Sequence, residues 1–285
     1  RRQRQMCIRD SADGDAVCDA GGGCGGEHFG DPGGETAVGE VAVGVDHAGL
    51  SVSREGPPGD RGRKLSPRFG GRYASGPMKT QPIGNSDLVS SRLSYGCMRI
   101  TGTWNPREVT QEREEAGIAA CIAAYEAGYT LFDHADIYAA GESERVFGLL
   151  LKRMPAMRGK IIIATKCGIR FGGDPTPTSP DRYDFSAEHI LASCDKSLKR
   201  LGTDMIDIYQ LHRPDPLMNP AEVAAAFETL HKAGKVRYFG VSNFMPSFVS
   251  CLQAYLPAPL VVNQVEIHLG RLEPFTDGTL DQCIE

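Results

Sequence analysis

Side chains able to move or steady a proton stand at the ends of three apolar runs. The stretch FDHADIYAAGESE, Phe132 to Glu144, places Asp133 and, five residues on, Tyr138 behind the run YTLF; Lys166 closes KIIIATK, and His212 closes MIDIYQLH. A free phenol, with a pKa of about 10, is a poor proton donor near neutrality. An ammonium beside it favours the phenolate and lowers that pKa by about 1 to 3 units, and a carboxylate holds the lysine charged and in place. An imidazole supplies a second hydrogen bond to an oxygen on which charge develops. Each residue also has a plainer reading: Tyr138 as a rim aromatic, Lys166 as a solvated strand-end lysine, His212 as a loop histidine bonded to backbone. The chemistry holds only if one end of one fold collects them all. His134 and Asp136 invite a metal reading with Asp133. Neighbours on an extended segment alternate faces, however, and no second histidine pair completes such a site, so no metal is expected.

The elements that must position these groups follow from periodicity. From Arg92 onward, short β-rich runs alternate with amphipathic stretches of roughly 10 to 17 residues, the pattern of repeated βα units. The strands are RLSYGCM, YTLFDHA, KIIIATK, MIDIYQLH, VRYFGVS and LVVNQVEIH. KIIIATK is apolar between its lysines, as suits a parallel strand covered on both faces. Thr110 and Ser186 are expected to cap helices that Gly128 and Gly202 stop. A helix from Glu142 to Met154 ends ahead of Pro155, and two more begin near Pro220 and Pro246. This makes about six βα units, the last helix just starting as the sequence ends. Such units build either an open doubly wound sheet or most of a (β/α)8 TIM barrel. Asp133, Lys166, His212, Asn243 and Gln264 fall at the C-terminal ends of strands two to six, which a barrel gathers round one mouth. The first βα turn, GCMRITG, lacks the G-x-G-x-x-G phosphate fingerprint. The expected fold is therefore an α/β barrel, incomplete here.

Composition narrows the remaining classes. The chain has 285 residues and 30.7 kDa, is 41% hydrophobic and carries a net charge of -5 with acids and bases interleaved, which argues against a nucleic-acid partner. No run of 18 apolar residues exists to cross a membrane. The stretch from Val41 to Leu50 is broken by Asp46 and has no cleavage signature, and the basic start RRQRQ is followed by acids from Asp10, unlike a transit peptide. The nine cysteines lack regular spacing. Cys121, Cys167 and Cys251 lie in apolar runs and read as reduced core thiols of a cytoplasmic protein, while Cys18 and Cys24 are too far apart and too isolated for zinc. About half of the 34 glycines crowd into residues 1–77, a composition that cannot offset the entropy of ordering. Residues 1–77 are expected to be a disordered Gly-rich extension, with 78–285 as the barrel domain and Met78 as the natural start.

At this point FDHADIY, IIIATKCG, YQLHRPD, KVRYFGVSNF and VVNQVEIH, in this order and spacing, resemble the aldo-keto reductase family, particularly its bacterial-type NADP-dependent oxidoreductase branch. The resemblance runs from about Met78 to the end. It implies a (β/α)8 barrel that binds NADPH across its mouth and reduces an aldehyde or ketone to an alcohol. By match to the family's motifs, Tyr138 is its proton donor, Asp133 and Lys166 its supporting charges, and His212 the residue that orients the substrate carbonyl. Ser242, Asn243 and Gln264 match positions that hydrogen-bond the nicotinamide carboxamide, a task for which amides suit because they donate and accept at once. Taken alone, Ser242 or Asn243 reads equally well as the cap of the next helix. Gly96 and Met98 are expected to line the ribose and nicotinamide end of the cofactor. Trp104, Arg213, Glu266 and the proline-rich loop from Phe171 to Tyr183 are candidates for the substrate rim, the last as a mobile element.

The sequence departs from the family pattern in ending before a seventh and eighth strand, which implies two open sheet edges and weak NADPH binding by these 285 residues. NADP over NAD rests on the resemblance alone, and the physiological substrate and oligomeric state stay open. Two other readings accompany the reductase. One is an inactive truncated product. The other is a redox-sensing subunit of a membrane channel, as some family members are. Lys196, Lys199, Arg200 and Lys232 make the outer helices too charged for the latter.

Overall fold

The computed structural model describes residues 78–285, so the reading of 1–77 as a disordered extension falls outside the described residues. An antiparallel hairpin, β1 (Thr80–Pro82) and β2 (Val89–Ser91), comes first. Then follow β3 (Ser94–Gly96), α1 (Gln111–Glu126), β4 (Leu131–Asp133), α2 (Glu142–Arg153) and β5 (Ile162–Cys167). A small hairpin of β6 (Ile169–Arg170) and β7 (Arg182–Tyr183) precedes α3 (Ala187–Leu201), β8 (Ile206–Leu211) and α4 (Pro220–Lys232). The chain closes with β9 (Val236–Ser242), α5 (Pro246–Gln253), β10 (Asn263–Gln264) and α6 (Thr279–Ile284). Six strands form one sheet in the order β3-β4-β5-β8-β9-β10, and every neighbouring pair is parallel. This is the expected succession of βα units.

Helix boundaries follow the local chemistry. Thr110 and Ser186 accept the N–H groups of Arg113 and His189, and Gly202 ends α3 in the left-handed region. Ahead of Pro220 it is Asn219 that caps α4. Met245 precedes α5 without a side-chain cap, so neither Ser242 nor Asn243 serves as one.

The sheet is curled. Gln264 Nε2 on β10 donates to Asp133 Oδ2 on β4 at 3.2 Å, although three strands lie between them in the sheet. In a flat sheet four inter-strand steps would separate those residues by about 19 Å. Side chains alternate along each strand, and this sorts the core into two layers. On the concave side Leu131, Ile162, Ala164, Ile208 and Val262 pack with Ile83 and Leu88 from the first hairpin, which closes the floor. Phe132, Ile163, Tyr209 and Leu211 form the convex layer against Phe147, Ile190 and Phe227 of the helices. The same alternation stands Asp133 and Lys166 above the floor, facing inward. Together with the structural relatives described below, the curled parallel sheet is an incomplete (β/α)8 fold. Among the described residues no helix is long and apolar enough to cross a membrane.

Two expectations about the surface change. Cys121 and Cys167 are buried, but Cys251 is exposed on α5, because the apolar run around it belongs to a short amphipathic helix. Lys196, Lys199 and Lys232 are exposed as expected, whereas Arg200 turns inward against the buried carboxylate of Glu144.

Two local features carry testable costs. Directly after Tyr138 the backbone runs left-handed through Ala139 (φ 48°), Ala140 (φ 55°) and Gly141 (φ 94°). A side-chain-bearing residue held there costs about 1 kcal/mol relative to glycine. Ala140 is exposed, so Ala140→Gly should raise unfolding stability by about 0.5–1 kcal/mol in urea melts; an unchanged or lower midpoint contradicts the strain. His134, one residue past β4, packs its ring edge-on against Phe147 at 4.7 Å, and neither ring nitrogen has a hydrogen-bond partner. Burial, then the Lys166 charge, drives its pKa from 6.5 down to about 3. The unfolded chain therefore takes up a proton that the fold refuses. Stability fully present above about pH 6.5 is lost as pH falls toward 3, by up to about 1.4 kcal/mol per pH unit. His134→Met should remove that component, seen as a smaller loss of stability between pH 6.5 and 4 than in the parent chain; identical pH profiles would refute it.

Candidate active site

The concave mouth is organised around an ammonium with no exposure to solvent. Lys166 Nζ lies 2.9 Å from both oxygens of Asp133, 2.9 Å from the His134 carbonyl and 3.2 Å from the Tyr138 hydroxyl. Parallel pairing of β4 with β5 brings the ends of the two strands together, and so the carboxylate and the lysine meet. The His134 ring turns to Phe147 of α2, but its backbone oxygen completes the lysine's shell. A charge so enclosed is tolerated only when its donors are all satisfied.

The phenol is fixed from several sides. Tyr138 is buried, with Met98 and Ala135 packed against it. His212 meets its ring edge-on at 5.9 Å, and Trp104 does the same from the first βα loop at 6.0 Å. His212 follows β8 directly, and its N–H donates to the Cys167 carbonyl at 2.9 Å, which ties it beside the lysine's strand. The four residues singled out for proton chemistry are thus in one place. Gly96, the last residue of β3 and in register with Asp133, is exposed and has open space where a Cβ would project.

The amide side chains border the same mouth but are partly occupied. Gln264 donates to Asp133, and its Oε1 is buried without a partner. Ser242 is buried. Its Oγ accepts from Asn243 Nδ2 at 3.1 Å, while Asn243 Oδ1 accepts the Glu266 N–H at 2.9 Å. Asn243 itself sits in the left-handed region at φ 57°. Glu266 is paired with Arg271 at 2.9 Å, His268 at 3.3 Å and Arg213 at 3.9 Å, a charged cluster beyond the end of β10. The loop expected as a mobile rim is cross-braced: Arg170 binds Asp174 and Asp184, each at 2.7 Å.

Several polar residues here escaped the sequence reading. Gln210, in register with Lys166, is buried with its Oε1 unpartnered. Glu144 and Thr165, both buried, join the half-buried Arg200 in a polar group behind the sheet. Glu144 had a visible alternative, since an acid in the first turn of a helix reads as a partner of the helix dipole. Near it Asp136 has an enclosed Oδ1 without a partner, and burial, then the neighbouring Glu144, pushes its carboxyl up to about 8. The charged form of Asp136 is thereby disfavoured. Among the described residues no three His, Cys, Asp or Glu side chains form a group able to hold a metal ion.

Comparison with known proteins agrees with this fold. The model of the Aldo/keto reductase family matches residues 92–275. The uncharacterized oxidoreductase YcsN of Bacillus subtilis is 44% identical over 200 residues, spanning 70% of this chain and 64% of that protein. A 6-dehydroglucose reductase of Agrobacterium fabrum is 40% identical over 202 residues, 70% of this chain and 66% of its own length. Among solved structures, an aldo-keto reductase from Bacillus halodurans in its holo form superposes with a TM-score of 0.56 at 31% identity, covering 67% of this chain and 58% of that one. The chain thus spans somewhat less than two thirds of the length of these relatives. With more than half of its residues matched by the family model, the chain belongs to the aldo/keto reductase family.

Proposed function

We propose that this chain carries the catalytic groups of an NADPH-dependent reductase that converts an aldehyde or ketone to an alcohol. The observation that carries the reading is the Tyr138 hydroxyl 3.2 Å from an ammonium which is itself held by both oxygens of Asp133. Bound NADPH would supply the hydride that reduces the carbonyl carbon. Tyr138 then has the task of giving its proton to the carbonyl oxygen as charge develops there. Lys166 stabilises the phenolate left behind, and Asp133 keeps Lys166 protonated through the exchange. His212, edge-on to the phenol, directs a second hydrogen bond to the same oxygen and orients the carbonyl.

The residues present suit a nicotinamide. Gln264 Oε1 is a buried acceptor without a partner, the complement of a carboxamide N–H. Ser242 and Asn243 stand next to it at the end of β9, and the open space over Gly96 lets a ring system approach the backbone. Met98 acts on the cofactor side by packing against Tyr138. A relative named 6-dehydroglucose reductase makes an oxidised sugar the first substrate to try.

Consumption of NADPH with a panel of aldehydes, ketones and oxidised sugars tests this, comparing the parent chain with Tyr138→Phe. The variant should lose roughly 10²- to 10⁴-fold in kcat while its affinity for NADPH, read by fluorescence titration, stays within about twofold. Full turnover in the variant would take Tyr138 out of the mechanism.

A further inference from the structure

Behind the sheet, on the side turned away from the mouth, one buried carboxylate joins the segments that carry Tyr138 and Lys166. Glu144 lies in the first turn of α2 and is 0% exposed. Its two oxygens are divided between different elements. Oε1 accepts from Thr165 Oγ1 at 2.6 Å, and Oε2 accepts from Arg200 Nε at 2.7 Å, with Arg200 Nη2 also at 2.7 Å.

Each partner leads to the site. Thr165 directly precedes Lys166 on β5, and neighbours on a strand point to opposite faces, so Glu144 grips the outward side chain of the strand whose next residue faces the phenol. Arg200, in the last turn of α3, is steadied by Ser197 Oγ at 3.2 Å. Its stem passes directly over Gly141: a Cβ built there would lie 2.7 Å from both Cδ and Nε of Arg200. Gly141 ends the left-handed turn that starts immediately after Tyr138. Beside Glu144, Ser143 Oγ donates to the Cys97 carbonyl at 2.6 Å, and the Cys97 N–H donates to the Asp133 carbonyl at 2.8 Å.

Alanines persist in the left-handed region only where their surroundings over-determine the backbone. The Arg200 clamp and the Glu144 anchor provide that. We infer that Glu144, through Thr165 on one side and Arg200 on the other, is the positioning residue that sets how closely the Tyr138 phenol approaches the Lys166 ammonium. It touches neither substrate nor cofactor. Its effect reaches the phenol as geometry, through the turn in front of it and the strand beside it. The role in turnover rests on the proposed reductase, but the phenol–ammonium geometry does not.

Thr165→Val keeps the shape of the side chain and removes the donor to Oε1, whereas Thr165→Ser keeps the donor. Tyr138 is followed by ultraviolet titration, as the difference between each protein and the same protein carrying Tyr138→Phe. In Thr165→Val the phenol should titrate higher than in the parent chain, because the ammonium that favours its phenolate is less well placed, with Thr165→Ser matching the parent. A cooperatively melting Thr165→Val whose phenol titrates as in the parent overturns the inference, and so does a Thr165→Ser shifted as far as Thr165→Val. If Thr165→Val does not fold, Arg200→Lys, at a half-buried site, decides: a shifted phenol supports the positioning role, and an unshifted one overturns it. In carbonyl reduction Thr165→Val should lower kcat about ten- to a hundredfold with KM within about twofold. A parent chain that turns over no carbonyl refutes the proposed function, and the titration still judges Glu144.

Discussion

A buried lysine paired with a carboxylate is the constraint around which the mouth of this protein is arranged. Lys166 exchanges its hydration for the Asp133 carboxylate, the His134 carbonyl and the Tyr138 hydroxyl, all within 3.2 Å. Removing one partner of such a buried pair costs about 3–5 kcal/mol, because the other charge is left without compensation. The carboxylate and the ammonium therefore have to arrive together, and the parallel register of β4 and β5 ensures that they do. The pair does little for stability that apolar side chains could not do. In the proposed reductase its use is electrostatic, since it sets the lysine 3.2 Å from a phenol.

The curl of the sheet turns that pair into a site. Gln264 reaches Asp133 from a strand far along the sheet order, so the carboxylate is held from both ends of the curve. Ile83 and Leu88 of the first hairpin fill the bottom of the concave side with apolar surface beneath the charges. His212 and Trp104, from separate loops, then converge on Tyr138 edge-on, and aromatic contacts of this geometry restrict the ring.

Strain and its compensation lie back to back. The turn after Tyr138 uses a backbone conformation that alanine resists, and behind it Glu144, Thr165 and Arg200 form a satisfied polar network. Networks of this kind are costly when one member is unpaired and rigid when all are paired. The mouth and the back of the sheet thus act on the same two residues from opposite faces.

The order of elements was legible in the sequence because periodicity and capping are local. Thr110, Ser186 and Gly202 act where the pattern places them, and the polar residues at the ends of the apolar runs do gather at one end of the sheet. What spacing could not supply was anything that depends on the far side of a strand or on a helix distant in the chain. The inward turn of Arg200, the exposure of Cys251 and the use of the His134 carbonyl are all of this kind. A charged residue looks alike in sequence whether it meets water or a buried carboxylate 56 positions away. By itself, then, the sequence determined the order of the elements and the strand ends on which the candidate polar residues sit. Only the tertiary structure decided their mutual distances, because those are set by the curl of the sheet and by contacts between segments remote in sequence.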